Sequence, residues 1–164
     1  MDKFTIVIPV YNEAKNLQIL VPKIYKVLKN IKFELIIVDD NSSDDTSKIL
    51  KKFKKKNLHH LVRKKKRDLS KSCIDGFKKA KYKNIVVMDG DLQHKPSDLK
   101  KILNIFYKYN TDVVVGTRDL FADKEHNLNF LRLIASRTLI LIVNILLGRK
   151  TSDPMSGFFM FKKK

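Results

Sequence analysis

The sequence predicts an α/β fold, a mostly parallel sheet with helices on both faces. Two observations carry that prediction. Short runs rich in β-branched residues recur along the chain, too continuously apolar for a sheet with one wet face. Segments of helical spacing separate them, and strand–helix alternation of this kind needs crossover connections between parallel strands.

Taken in order, Phe4–Ile8 is the first strand. Leu17, Leu20, Val21, Ile24 and Leu28 then form one helical stripe, within which Pro22 is expected to cause a kink. Phe33–Val38 is the second strand. A helix over Ser47–Lys55 follows, with Ser42, Ser43 or Asp44 as its N-cap. Leu58–Val62 is a weaker strand and Ile85–Met88 a strong one. Pro96 suits the first turn of a helix whose stripe is Leu99, Ile102, Leu103 and Phe106, and Val113–Val115 closes the series. No repeat or linker interrupts it.

The 164 residues suffice for one domain, and a 43% hydrophobic content with 5 Gly and 4 Pro excludes disorder and collagen-like repeats. A net charge of +18 makes a polyanionic partner plausible, although only six of the 35 basic residues are Arg, a general lysine bias. The single cysteine, Cys73, excludes an internal disulfide framework and a cysteine-ligated zinc site. No signal peptide is expected, because a charged strand pattern begins at Lys3. The longest apolar run, Leu139–Val143, is far short of the roughly 20 residues that span a bilayer. The chain is therefore expected in the cytosol or lying on a membrane, without a transmembrane segment.

Ligands of open α/β sheets bind at the carboxyl ends of the strands, and four strands end in polar clusters here. These are Pro9-Val10-Tyr11-Asn12-Glu13, Asp39-Asp40-Asn41-Ser42-Ser43-Asp44, Asp89-Gly90-Asp91-Leu92-Gln93-His94 and Gly116-Thr117-Arg118. Asp89 and Asp91, one residue apart with Gly90 permitting close approach, are suited to a hard divalent cation, Mg²⁺ or Mn²⁺, together with diphosphate oxygens. Gln93 offers a further neutral oxygen. The plainer alternative is that these acids end a strand and cap the next helix. His94 reads as a polar loop contact. Asp39 and Asp40 precede the predicted cap and are placed to accept hydrogen bonds from a nucleobase or ribose.

Residues 127–147 read as a helix with Asn129, Arg132 and Ser136 on one face, Asn144 returning to it, and Leu and Ile elsewhere. That pattern fits a buried helix with one polar stripe, or an amphipathic interfacial helix with arginines near lipid phosphate. Arg118, Arg132 and Arg137 cluster in a chain with six arginines, which favours an anion site. Lys51–Lys56 and Arg63–Arg67 read as solvated helix ends and loops, alternatively as attraction to anionic head groups. His59 and His60 have no evident partner and receive no role.

Pro9-Val10-Tyr11-Asn12-Glu13 with Asn16, Asp39 through Asp44, and Met88 through His94 together resemble family 2 glycosyltransferases of the GT-A fold. The polyprenyl-phosphate (dolichyl-phosphate) mannose synthase branch is the nearer likeness. It is echoed by Asp68-Leu69-Ser70-Lys71 with Gly76, by Gly116-Thr117-Arg118, by Arg132 with Ser136-Arg137, and by Ser152 through Phe158. The resemblance covers essentially the whole chain in the expected order. Many relatives have Gly-Leu-Gly where Asp68-Leu69-Ser70 stands here.

The resemblance implies a GT-A domain with a nucleotide-binding part over about 1–119 and an acceptor and interfacial part over about 120–164. Relatives continue past the Ser-Gly-Phe motif, so the domain is expected to be incomplete. Pro9, Tyr11, Glu13, Asp39, Asp40 and Asp89 would bind the donor nucleotide. Asp89, Asp91 and Gln93 would hold the metal, Mg²⁺ or Mn²⁺. Arg118, Arg132 and Ser136 would bind the acceptor phosphate, Asp153 would sit near the transferred sugar, and Asp91, Arg118 and Asp153 would be catalytic.

The implied reaction moves mannose from GDP-mannose to a lipid phosphate with inversion, at the cytoplasmic face of a membrane, with a separate anchoring partner an option. An anionic acceptor needs orientation more than a strong base. One alternative is a UDP-sugar donor of the glucose type, with undecaprenyl phosphate or a glycan as acceptor. Another is a basic nucleic-acid-binding module; clustered acids at the sheet edge argue against it, and no nucleic acid is expected as partner.

Overall fold

A computed structural model describes residues 3–117 and 156–163. The elements are β1 (Phe4–Val10), α1 (Ala14–Val27), β2 (Phe33–Asp39), α2 (Thr46–Lys52) and β3 (Leu58–Val62). They continue as α3 (Leu69–Lys79), β4 (Asn84–Val87), α4 (Asp98–Tyr109), β5 (Val113–Val115) and β6 (Phe159–Lys162). One six-stranded sheet has the order β3-β2-β1-β4-β6-β5. β3, β2, β1 and β4 are parallel, with Phe4 opposite both Phe33 and Asn84. The expected mostly parallel α/β architecture is what forms.

The continuous apolar runs are explained by burial on both faces: every residue of β1 and β2 is buried. Alternate side chains divide between two cores. Ile6, Ile8, Leu35 and Ile37 pack with Leu17, Leu20 and Ile24 of α1 and with Leu99, Leu103 and Phe106 of α4. Val7, Ile36, Val38 and Ile85 face the other way, where Phe77 of α3 packs. Truncating a fully buried leucine such as Leu17 to alanine would cost roughly 2–5 kcal/mol. Gly76 lets α3 close on the sheet, since a Cβ there would collide with Val7.

Three details depart from the local pattern. α1 runs through Pro22, whose exposed position turns the missing hydrogen bond toward solvent while Val21 and Ile24 on either side are fully buried. α2 begins at Thr46 with Asp45 in the N-cap position and no side-chain cap bond, whereas the expected cap Asp44 serves two helix starts. Its carboxylate accepts from the amides of Thr46 (3.0 Å) and Ala14 (3.1 Å). α4 starts at Asp98, two residues after Pro96, behind a turn in which the Asp98 amide donates to the Lys95 carbonyl.

β6 was not anticipated from sequence. It pairs antiparallel with β4, Val86 opposite Met160, and separates β4 from β5. Met160 enters one core and Phe161 the other, where its ring meets Phe77 edge-on at 5.0 Å. A four-residue run beside terminal lysines carries little local signal. Its pairing with residues more than 70 positions away decides its conformation.

Residues 1–114 with 157–164 form one compact unit and 115–156 a second. In the second, the Ser156 hydroxyl donates to the Gly116 carbonyl. The interfacial helix expected over 127–147 lies outside the described residues. Among the described residues, no helix is long and apolar enough to cross a membrane.

Candidate functional site

A cavity of about 360 Å³ opens where β1, β2 and β4 end. Pro9, Val10, Tyr11 and Glu13 line it from β1, and Asp89, Gly90 and Asp91 from β4. Asp40, at the end of β2, and Arg67, Asp68, Leu69 and Ser72, at the start of α3, complete the lining. Parallel strands in register bring these distant segments together, as the strand-end clusters in the sequence anticipated.

The loops after β1 and β2 shape each other. Asn12 (φ 57°) and Asn41 (φ 61°) both take the left-handed conformation that a short polar side chain tolerates. The Asn12 amide donates to the Ser42 hydroxyl, and the Asn12 side-chain oxygen accepts from the Ser43 amide at 2.8 Å. The Glu13 amide donates to the Thr46 hydroxyl, and the Glu13 carboxylate accepts from the Asn16 side chain at 2.6 Å. Each loop thereby satisfies the other's otherwise orphaned amides.

The acidic pair on β2 is buried. Asp39 is wholly inaccessible and lies outside the cavity lining. Its carboxylate accepts from the Ser42 amide (2.8 Å) and the Ser47 hydroxyl (3.1 Å), and meets His60 Nε2 at 3.3 Å. Burial alone would raise its pKa, but the hydrogen bonds from His60, Ser42 and Ser47 prevail and bring it down to about 2. Asp39 is thus already saturated by protein donors. Asp40 reaches the cavity lining while its carboxylate is held by the Arg63 guanidinium and by the Asp68 amide at 2.7 Å.

The pair on β4 stands in a different setting. Asp89 and Asp91 are half-buried and both line the cavity. Asp91 accepts from the Gln93 amide at 3.0 Å. Gly90 is needed because a Cβ there would stand 2.9 Å from a Val10 methyl. Leu92, at φ 67°, is a non-glycine residue in the left-handed region, a conformation costing of order 1 kcal/mol that redirects the chain straight after Asp91. Gly157 passes so close to Asp89 that a Cβ would overlap the carboxylate. Cys73 lies near enough to Asp89 to feel its charge; burial first, and that charge second, push its thiol up to about 11 and leave it unreactive at neutral pH.

Hard oxygen donors on adjacent cavity positions fit Mg²⁺ or Mn²⁺, which take one or two protein carboxylates and complete their shell with substrate phosphates and water. Among the described residues no group of three or more His, Cys, Asp or Glu converges. Gln93 contributes its amide to the loop; its side chain is exposed and outside the cavity lining. Arg118, Arg132, Ser136 and Asp153 lie outside the described residues.

Sequence reasoning missed several participants. His60 partners Asp39, and His59 meets Glu34 at 3.4 Å, although neither histidine had an evident partner in the chain. Arg63, expected in a solvated basic loop, is 5% exposed. Arg67 stacks its guanidinium over Tyr11, 4.5 Å from the ring centroid, at the cavity. The Asp-Leu-Ser-Lys motif did mark this region. Asp68 caps α3 by accepting from the Lys71 amide, and that bond, together with the nearby Lys71 and Arg63 cations, outweighs burial and holds its carboxyl below the ordinary value.

A model of the family described as "Glycosyl transferase family 2" matches residues 5–164. The chain belongs to glycosyl transferase family 2. Over 99% of its length it is 35% identical to a dolichol-phosphate mannosyltransferase of Pyrococcus furiosus, covering 47% of that protein. It is 31% identical to the dolichol-phosphate mannosyltransferase of Saccharomyces cerevisiae, again over 99% of this chain and covering 61% of the relative. The chain thus spans about half the length of the curated relatives it matches. Among solved structures, a mannosyltransferase from Pyrobaculum calidifontis in complex with GDP-Man and Mn²⁺ superposes with a TM-score of 0.68 at 17% identity, over 97% of this chain and 44% of that one. That likeness establishes the shared GT-A fold.

Proposed function

We propose that this chain is a mannosyltransferase domain that moves mannose from GDP-mannose to dolichyl or another polyprenyl phosphate, inverting the anomeric configuration. The observation that carries the reading is the cavity at the strand ends with Asp89 and Asp91 side by side in its lining. The two dolichol-phosphate mannosyltransferases similar to it along nearly its entire length support the acceptor class.

In this reading Pro9, Tyr11, Glu13 and Asp40 receive the nucleoside. Asp39 acts from behind by fixing the loop that begins at Ser42. Asp89 and Asp91 hold Mg²⁺ or Mn²⁺, which when bound offsets the negative charge growing on the departing diphosphate. Arg118, Arg132 and Ser136 bind the acceptor phosphate and aim it at the face opposite the leaving group, with Asp153 beside the sugar. An acceptor oxygen that is already anionic attacks without a general base. The protein works at the cytoplasmic face of a membrane, held there by contacts of residues 120–164 or by a partner.

The test is a radiolabelled donor screen with polyprenyl phosphate, comparing GDP-mannose and UDP-glucose with and without Mn²⁺. Metal-dependent mannosyl transfer to lipid is the expected result. Transfer from UDP-glucose alone would replace the donor assignment. Binding of neither nucleotide, with salt-sensitive binding of DNA or RNA instead, would overturn the reading.

A further inference from the structure

We infer that Arg63 is a positioning residue for donor binding, acting through Asp40 and the backbone of Asp68. This rests on the donor-cavity reading above and assigns a residue outside that cavity's lining.

Arg63 stands immediately after β3, in the basic stretch Arg63–Arg67, and its side chain is 3% exposed. Its guanidinium donates from one terminal nitrogen to the Asp40 carboxylate, to the Ser72 hydroxyl (3.2 Å) and to the Asp68 carbonyl (3.3 Å). Nε donates to Asp75 of α3 at 2.9 Å. The other Asp40 oxygen accepts from the Asp68 amide. Asp40, Asp68 and Ser72 all line the cavity, so one buried cation ties together three residues of the same wall.

The geometry requires arginine. A guanidinium presents several donors in a rigid plane and can serve two carboxylates, a hydroxyl and a carbonyl at once, which a lysine ammonium on a flexible stem cannot. Desolvation opposes burying this charge, and the carboxylates of Asp75 and Asp40 outweigh it, so Arg63 stays firmly protonated. Its neighbours Lys64, Lys65 and Lys66 are exposed, so the sequence run conceals one residue of a different kind. With Asp40 neutralised from behind, the wall can face an anionic donor without an uncompensated carboxylate there.

Arg63→Lys tests this. GDP affinity is measured by titration calorimetry in excess Mn²⁺, and hydrogen exchange is followed at the Asp68 amide. The expected result is GDP binding about tenfold weaker, faster exchange at Asp68, and unchanged exchange in the β1 and β2 core. Because Arg63 is argued to act in part through Asp40, Arg63→Lys combined with Asp40→Asn should weaken GDP by less than the sum of the two single losses. Unchanged GDP affinity in folded Arg63→Lys, or fully additive losses in the double variant, would overturn the inference alone. An unmodified chain that binds neither GDP nor UDP would overturn the donor reading, and this inference with it. Should Arg63→Lys fail to fold, Asp75→Asn frees one arm of the same guanidinium, and a GDP affinity identical to the unmodified chain would equally refute the role.

Discussion

Asp39-Asp40 and Asp89-Gly90-Asp91 read alike as sequence, acids at the ends of neighbouring parallel strands, yet the fold treats them differently. The β2 pair is buried and met by His60, Arg63, two serines and a backbone amide. The β4 pair is half-buried in the cavity lining, on a loop bent by Leu92 and pressed by Gly157. A carboxylate whose charge is balanced inside the protein serves architecture. A pair placed beside open space is suited to recruit a cation from outside. Depth of burial and access to the cavity, not acidity, distinguish the two pairs.

Breaking the β4 pair should affect chemistry. Asp91→Ala is expected to lower metal-dependent transfer by at least about 100-fold, with the thermal midpoint nearly unchanged. Full turnover in excess Mn²⁺ would erase the distinction between the pairs. Breaking the β2 pair should affect the fold first. Asp40→Ala removes one of the two carboxylates that hold the buried Arg63, Asp75 remaining, and should cost about 1–3 kcal/mol in denaturant unfolding; no measurable loss would mean the ion pair is not buried in solution.

Gly157→Ala sharpens the contrast, because the atoms its Cβ would meet first are those of the Asp89 carboxylate. It should weaken Mn²⁺ binding on the order of tenfold, read by titration calorimetry, whereas Gly76→Ala, whose collision is with Val7, should chiefly lower stability. The smallest effect concerns acid. Asp39 is held at about 2 in the folded chain, below the ordinary carboxylate value near 3.9. Its stabilising contribution is complete above about pH 4 and is lost as pH falls toward 2. Asp39→Asn should therefore show a shallower decline of stability across that window, and an unchanged slope would remove Asp39 from the account.

Much of this was legible in the chain. β1, β2 and β4 announced themselves as apolar runs, α1 and α4 as stripes, and the strand-end clusters pointed to the edge where the cavity opens. β6 was hidden because only pairing with β4 makes four residues near the terminus a strand. Arg63 and His60 were hidden because a charge run and a histidine doublet look solvated until the partners that bury them are known. Asp39 stood out as a candidate nucleotide ligand, but its engagement by Ser42, Ser47 and His60 was not legible.

Local periodicity and residue chemistry by themselves determined the layered α/β plan, the edge where the cavity opens and the acidic motifs that mark it. These depend on spacing along one segment, which the order of residues states directly. Tertiary structure alone decided which acids are neutralised, which basic residue is buried among them, and how the last strand enters the sheet. Those outcomes depend on groups tens of residues apart meeting where water is excluded, and nothing local encodes such a meeting.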